Sequence, residues 1–200
     1  MAKKSYTLEK TYAYILVVGG IIGFIAAFIL TVDKFNLLKD PSIDLNCNIN
    51  PILSCGSVMK TAEASTFGFA NSLLGIMGFS VTTTIGMAML AGATFKRWFW
   101  RGLQVGTIFG IGFVHYLIIQ SIFHIGALCP YCMVVWTVMI PIFIYTTIYN
   151  IRMGHIPVHA RLKKLASFIE RHHGDIIVFW YAIIIGIILN HFWYYWKTLL

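Results

Sequence analysis

Apolar residues fill this chain in five long blocks, near 12–32, 67–93, 102–123, 129–150 and 175–196, and the charged residues collect between them. Each block is long enough to cross a hydrocarbon core of about 30 Å, which takes about 20 residues. Only helices or closed barrels satisfy their backbone inside lipid, and uninterrupted runs of this length predict helices. The first block follows Lys3, Lys4 and Lys10, as a signal peptide's apolar region would. It is too long for such a region and no small-residue cleavage site follows, so it is read as a retained first span. The pattern predicts an all-α integral membrane protein.

Composition agrees. Of 200 residues, 58% are hydrophobic and 11% charged, against roughly a quarter charged in soluble domains; mean hydropathy is +0.78. The net charge of +8 raises nucleic acid as a partner, but the charges are distributed by membrane side. Lys3, Lys4, Lys10, Lys96, Arg97, Arg101, Arg152, Arg161, Lys163, Lys164 and Arg171 fall on one side. Only Lys34, Lys39, Lys60 and Lys197 fall on the other. The richer side is expected to be cytoplasmic. That places the N-terminus on the cytoplasmic side of the membrane, and the loop 33–66, the turn 124–128 and the C-terminus outside.

In the outer loop, Asp40-Pro41-Ser42 and Asn50-Pro51 mark turns, and Ser57 to Ser65 suits a short surface helix. The inner segment 151–174 is basic, and its 159–173 stretch is amphipathic, with Leu162, Leu165, Ala166 and Ile169 on one face. Such a helix lies at the lipid interface. Gly102, Gly106 and Gly110 recur every four residues in the third span, the spacing that lets helices approach closely. Trp193, Tyr194, Tyr195 and Trp196 form an interfacial belt closing the fifth. Neither His155 with His159, which have Pro157 between them, nor His172 with His173 suits a metal.

All four cysteines fall at the outward face, where disulfides persist. Cys47 and Cys55 lie in the loop; Cys129 and Cys132 form Cys-Pro-Tyr-Cys at the start of the fourth span. Pro130 suits the first helical position, which makes Cys129 the N-cap and sets both sulfurs on the first turn. Free N–H groups at a helix start favour thiolate, so the Cys129 pKa is predicted to be lowered. The loop pair can be a static bridge or a mobile carrier between a soluble thiol and the CxxC. Two thiols yield two electrons and two protons, which a lipid-soluble quinone accepts. Polar residues in the spans are then candidates: Asn71 and Ser72 in the second, His115 and Gln120 in the third, with Asn71 as a donor to a quinone carbonyl.

Together, Cys47 and Cys55, Thr61, the Phe67-Gly-Phe-Ala-Asn71-Ser-Leu-Leu-Gly75 entry to the second span and Cys129-Pro-Tyr-Cys132 resemble the vitamin K epoxide reductase family over about 12–150. The resemblance implies a four-helix transmembrane bundle within 1–150, holding a quinone beside the CxxC and capped by the loop; a fifth transmembrane helix within 175–200 is added to it. It implies that Cys47 exchanges with a thioredoxin-fold partner, Cys55 passes electrons to Cys129 through a transient interloop disulfide, and Cys132 faces the quinone. Thr61 stands where the family has Ser or Thr, Asn71 where many members have a quinone-contacting amide, and Trp136 where vertebrate members have a quinone-contacting Tyr. Many bacterial members carry a fused thioredoxin-like domain after a fifth span. Here the chain ends at Leu200, which implies a separate, DsbA-like partner. The expected function is disulfide formation in secreted proteins coupled to reduction of ubiquinone or menaquinone. The rival is a transporter or channel with structural disulfides, which would be expected to show charged residues or broken helix pairs deep in its spans; none is evident.

Overall fold

The computed structural model describes residues 2–157, 159 and 163–197, with side chains from Leu8 onward. Among these, five helices are long and apolar enough to cross a membrane: Leu8–Lys39, Asn71–Leu90, Arg97–Ile125, Pro130–Arg152 and His173–His191. Two isolated β-bridges are the sole strand-like pairings among the described residues. The chain is a multi-pass, all-α membrane protein.

The first helix, α1 (Ala2–Lys39), is a single rod of 38 residues. At 1.5 Å per residue it spans about 57 Å, well beyond a bilayer core. The helix runs on to Lys39, so the cysteine-bearing loop begins at Asp40 rather than at 33. The reason lies in the helical spacing of Leu30 and Leu37, both buried against the cap, while Lys34 Nζ donates to the Met59 carbonyl at 2.5 Å. Tertiary contacts carry the helix past its first charges. The expected Ser57–Ser65 helix resolves into two pieces, α2 (Cys55–Met59) and a 3₁₀ turn, Ala62–Ser65. Then come α3 (Asn71–Leu90), α4 (Arg97–Ile119), α5 (Pro130–Arg152), α6 (Lys163–Arg171), α7 (His173–His191) and α8 (Trp193–Trp196). Of the predicted amphipathic face, Leu165, Ala166 and Ile169 lie on α6. Arg161 and Leu162 lie outside the described residues.

α1 packs along α3 and α5, and α4 along α5. Glycines set the α1–α3 approach. A Cβ on Gly20 would fall 2.9 Å from the Thr83 backbone nitrogen, and one on Gly86 2.9 Å from the Ala13 carbonyl. Gly20→Val is expected to lower thermal stability by about 1–3 kcal/mol through overpacking, read as an earlier melting transition in detergent. The stripe on α4 behaves differently from its reading as a packing motif. A Cβ on Gly102 or Gly106 meets nothing within 4 Å; only Gly110 is close to a neighbour, the Met139 side chain. Gly102→Ala should therefore leave the melting transition in place. α3 and α4 barely touch, and the first two glycines of the stripe face the gap between them.

Away from the cysteines, a buried polar network joins α1, α4 and α5. Tyr12 donates to Thr146 at 3.0 Å, Asn150 to Gln104 at 3.0 Å, and Gln104 to Thr147 at 3.0 Å. α7 leans on this bundle through Trp180 and Tyr181, whose hydroxyl donates to the Thr137 carbonyl. An ion pair between Arg152 and Glu170 ties α6 to α5.

Candidate redox site at the mouth of the bundle

Asn48 and Asn50 fold the loop on itself. The Asn50 carboxamide oxygen accepts the Ile52 and Leu53 N–H groups at 3.0 and 2.7 Å. The Asn48 oxygen accepts the Ser54 hydroxyl and the Gly56 N–H, both at 3.0 Å. This hairpin-like turn sets the Cys47 and Cys55 Cα atoms 5.6 Å apart, and the two are joined as a disulfide. Ser54 then caps α2 by accepting the Ser57 N–H.

A parallel bridge between Leu53 and Leu128 locks this cap to the segment before the CxxC. Ser54 N–H donates to the Leu128 carbonyl at 2.9 Å, and Leu128 N–H to the Ile52 carbonyl at 2.7 Å. Beyond the bridge each chain turns into a helix, one at Cys55 and the other just after Cys129. The register therefore sets these cysteines side by side, with their sulfurs 3.3 Å apart. Upstream, α4 ends in a π-helical turn, Gln120–Ile125, closed by Gly126 at φ +69°, a conformation that suits glycine. That turn returns the chain toward the cap.

Cys129 is the N-cap of α5, with Pro130 following and its sulfur accepting the Cys132 N–H at 3.4 Å. Cys129 and Cys132 are free thiols. The Cys129 thiol is held below its ordinary range, first by a hydrogen bond from the Cys132 thiol, then by the Cys132 and Tyr131 backbone N–H groups. Burial and the Asp33 charge work against this. The net direction is the one the helix start predicts. Leu30, Leu37, Leu45, Val58, Met59 and Ala127 seal the three sulfurs of Cys47, Cys55 and Cys129 in a dry cluster. Cys47 is only 4% exposed, so a soluble thiol reaches it only when the cap moves.

Cys132 faces the other way. It lines a cavity of about 620 Å³ between α3 and α4, whose wall includes Asn71, Ser72, Gly102, Gly106, Phe113 and Trp136. It also lines a smaller cavity of about 60 Å³ with Lys34, Glu63, Asn71, Gln120 and Ser121. Trp136 is 4% exposed, and its buried indole N–H has no partner. Ser72 is paired with the Thr31 hydroxyl at 2.8 Å.

Other candidates are placed differently. Asn71 lines both cavities, but its carboxamide is engaged with the loop: it donates to the Glu63 carbonyl at 2.6 Å and accepts the Thr66 N–H at 3.0 Å. Asn71→Ala is expected to loosen this loop by about 1–2 kcal/mol and to slow partner oxidation and acceptor reduction alike, measured as separate half-reactions. Thr61 lines neither cavity; its hydroxyl donates to the Val58 carbonyl at 2.9 Å. His115 is likewise absent from the cavity wall. Its Nδ1 bonds to the Ile111 carbonyl at 2.8 Å, and its Nε2 accepts the Trp180 indole N–H at 2.9 Å, joining α4 to α7. A histidine between helices gains a partner there. Asp33, which the sequence reading passed over, lies 4.0 Å from the Cys47 sulfur. Among the described residues no group of three or more His, Cys, Asp or Glu could hold a metal ion.

A disulfide set against a reduced CxxC inside a helical membrane protein defines a membrane thiol oxidoreductase. Residues 14–147 match the profile of the vitamin K epoxide reductase family, and the chain belongs to that family. No individual curated protein matches it.

Proposed function

We propose that this protein oxidises a thioredoxin-fold dithiol partner at the cysteine-bearing face of a bacterial cytoplasmic membrane and passes the electrons to a membrane quinone. One observation carries the reading. Cys132 ends a chain of sulfurs and at the same time lines a large apolar cavity whose wall includes Trp136.

The residues fit a quinone. Its ring is apolar and its carbonyls are acceptors; the cavity is apolar, and Trp136 offers a donor that is costly to leave unpaired. A quinone bound beside Cys132 supplies the two-electron, two-proton acceptor that the CxxC needs to close its disulfide. Ubiquinone and menaquinone both meet that description.

The chain's own cysteines do the rest. A partner thiolate attacks Cys47, the Cys47–Cys55 bond breaks, and Cys55 leaves as thiolate. With the CxxC oxidised, Cys55 attacks Cys129 and expels Cys132 as thiolate into the cavity. The partner's second thiolate attacks the partner sulfur of the mixed disulfide, which frees an oxidised partner and a reduced Cys47. Cys47 then attacks Cys55 and expels Cys129. The result is an oxidised cap over a reduced CxxC, the state of the thiols seen here. The order draws support from the 3.3 Å sulfur contact between Cys55 and Cys129 and from the lowered Cys129 pKa, which makes it a good leaving group. Free Cys129 against that disulfide also speaks against a transporter whose disulfides are merely structural.

The outward orientation of the cap rests on the Lys and Arg distribution. The test of the function is purified protein in lipid nanodiscs with a reduced DsbA-like protein and a quinone. One quinol should form per partner disulfide. Partner oxidation that proceeds equally without quinone would remove the quinone from the reading.

A further inference from the structure

The return step of that relay has a chemical requirement. Cys47 attacks only as thiolate, and an ordinary thiol with a pKa of about 8.5 is mostly protonated near neutrality. The Cys47 sulfur sits in an apolar cluster at 4% exposure, where water is a poor base because little of it is present. One carboxylate reaches it. Asp33, on α1 one turn before Leu37, holds Oδ2 4.0 Å from the Cys47 sulfur. Cys47 is in its disulfide here and carries no S–H, so the contact is the approach of a carboxylate to the sulfur; several other acidic side chains are engaged elsewhere. Asp40 bonds Ser42, Asp44 bonds Asn48, Glu170 pairs with Arg152, and Asp175 with His172. Asp33 has no cation against it: the adjacent Lys34 turns to the Met59 carbonyl. Its oxygen is free to take a proton.

We propose that Asp33 is the general base of the cap, taking the proton of Cys47 as Cys47 attacks Cys55. This extends the relay and rests on it. The Cys47 S–H proton passes to Asp33 Oδ2, a Cys47–Cys55 bond forms, the Cys55–Cys129 bond breaks, and its electron pair stays on Cys129 as thiolate. No outside oxidant enters, because the step is an exchange between sulfurs. The same proton serves the leaving group. The Asp33 charge opposes ionisation of Cys129; a protonated Asp33 no longer does, at the moment Cys129 must depart with a negative charge. In the reverse direction Asp33 returns the proton to Cys47 as it leaves Cys55.

The test isolates this step from quinone. Quinone-free protein with both cysteine pairs oxidised is mixed with a reduced thioredoxin-fold partner, quenched in acid at intervals, alkylated, and mapped by mass spectrometry. In the wild type the Cys55–Cys129 disulfide should rise and decay to Cys47–Cys55 with a reduced CxxC. Asp33→Asn, which keeps shape and loses the base, should form Cys55–Cys129 at the wild-type rate but resolve it about 100-fold more slowly, the low end of what general bases contribute. Asp33→Glu should recover much of the resolution rate. Decay of Cys55–Cys129 in Asp33→Asn at the wild-type rate overturns the proposal and leaves the relay standing. Failure of Asp33→Asn to accumulate that bond, with faster alkylation of Cys47 and no rescue by Asp33→Glu, also overturns it, since a loosened cap is then the whole effect. Absence of Cys55–Cys129 in the wild type overturns the relay itself and the proposal with it.

Discussion

Cys132→Ser is expected to abolish quinone reduction and to trap the protein with Cys55 bonded to Cys129. In the wild type, Cys129 has two disulfide partners: Cys55, whose sulfur lies 3.3 Å away, and Cys132, one helical turn along. Serine removes the second and leaves the first. The serine hydroxyl can donate to Cys129 in place of the Cys132 thiol, and the backbone N–H groups stay. Cys129 remains able to attack Cys55 and expel Cys47, and with no CxxC disulfide to form, the product is resolved only by return of Cys47, which an oxidised partner blocks by capturing Cys47 in a mixed disulfide. Removing one member of a unit that acts together costs about as much as removing the whole, so quinone turnover should fall by more than about 10⁴-fold. Mass-spectrometric mapping should find Cys55–Cys129, with Cys47 free or held in a mixed disulfide with the partner. Mapping that returns only Cys47–Cys55 would make the loop pair a static bridge.

The burial of Cys47 sharpens what the partner has to do. The cap is fastened at several points: the Leu53–Leu128 bridge, Lys34 to the Met59 carbonyl, Lys60 to the Pro41 carbonyl, and Asn71 to the 63–66 turn. Each is a single hydrogen bond or a pair, worth about 1 kcal/mol apiece in net terms. Opening the cap breaks these bonds and also uncovers the apolar cluster around Leu37, Leu45 and Val58, so exposing Cys47 costs more than the hydrogen bonds alone.

What was legible in the sequence was local. Five uninterrupted apolar runs give five helices because lipid leaves the backbone no other choice. Pro130 at the first helical position announces Cys129 as the N-cap, since proline has no N–H to lose. What was not legible depends on distant neighbours. The contact of Cys55 with Cys129, implied in the sequence by the family resemblance alone, arises from a bridge between Leu53 and Leu128, segments too far apart in sequence for any local pattern to pair. α1 runs on to Lys39 because the cap buries Leu37, whereas the sequence shows only charges where the apolar run stops. Gly102 and Gly106 carry a helix-packing signature, yet a Cβ on either would meet nothing within 4 Å; small residues make room for a cavity as readily as for a neighbouring helix. Asn71 and His115 are polar within spans, and each bonds a neighbour, the 63–66 turn and Trp180, while Asn71 also lines both cavities. A polar residue in a span signals that a partner exists without naming it.

Trp136→Phe should slow quinone reduction by about 100-fold while leaving partner oxidation unchanged and raising thermal stability. The three parts follow from one atom. Trp136 lines the large cavity, and its indole N–H, itself buried, has no partner. A donor fixed in a dry site toward an oxygen that gains charge is worth about 3 kcal/mol, to judge by removal of comparable oxyanion donors, and that corresponds to about 100-fold in rate. Phenylalanine preserves an aromatic wall but removes the donor. The sulfur exchanges lie on the far side of Cys132 and do not use that N–H, so a single-turnover measurement of partner oxidation should match the wild type. Stability should move the opposite way, because a buried donor without a partner costs about 1–3 kcal/mol and the substitution removes it. A protein that melts later and reduces quinone more slowly is the signature of a group held in reserve for a ligand. If the mutant melts earlier, the void left by the smaller ring outweighs removal of the unpaired donor. If quinone kinetics are unchanged, the donor to the acceptor's carbonyl lies elsewhere on the cavity wall.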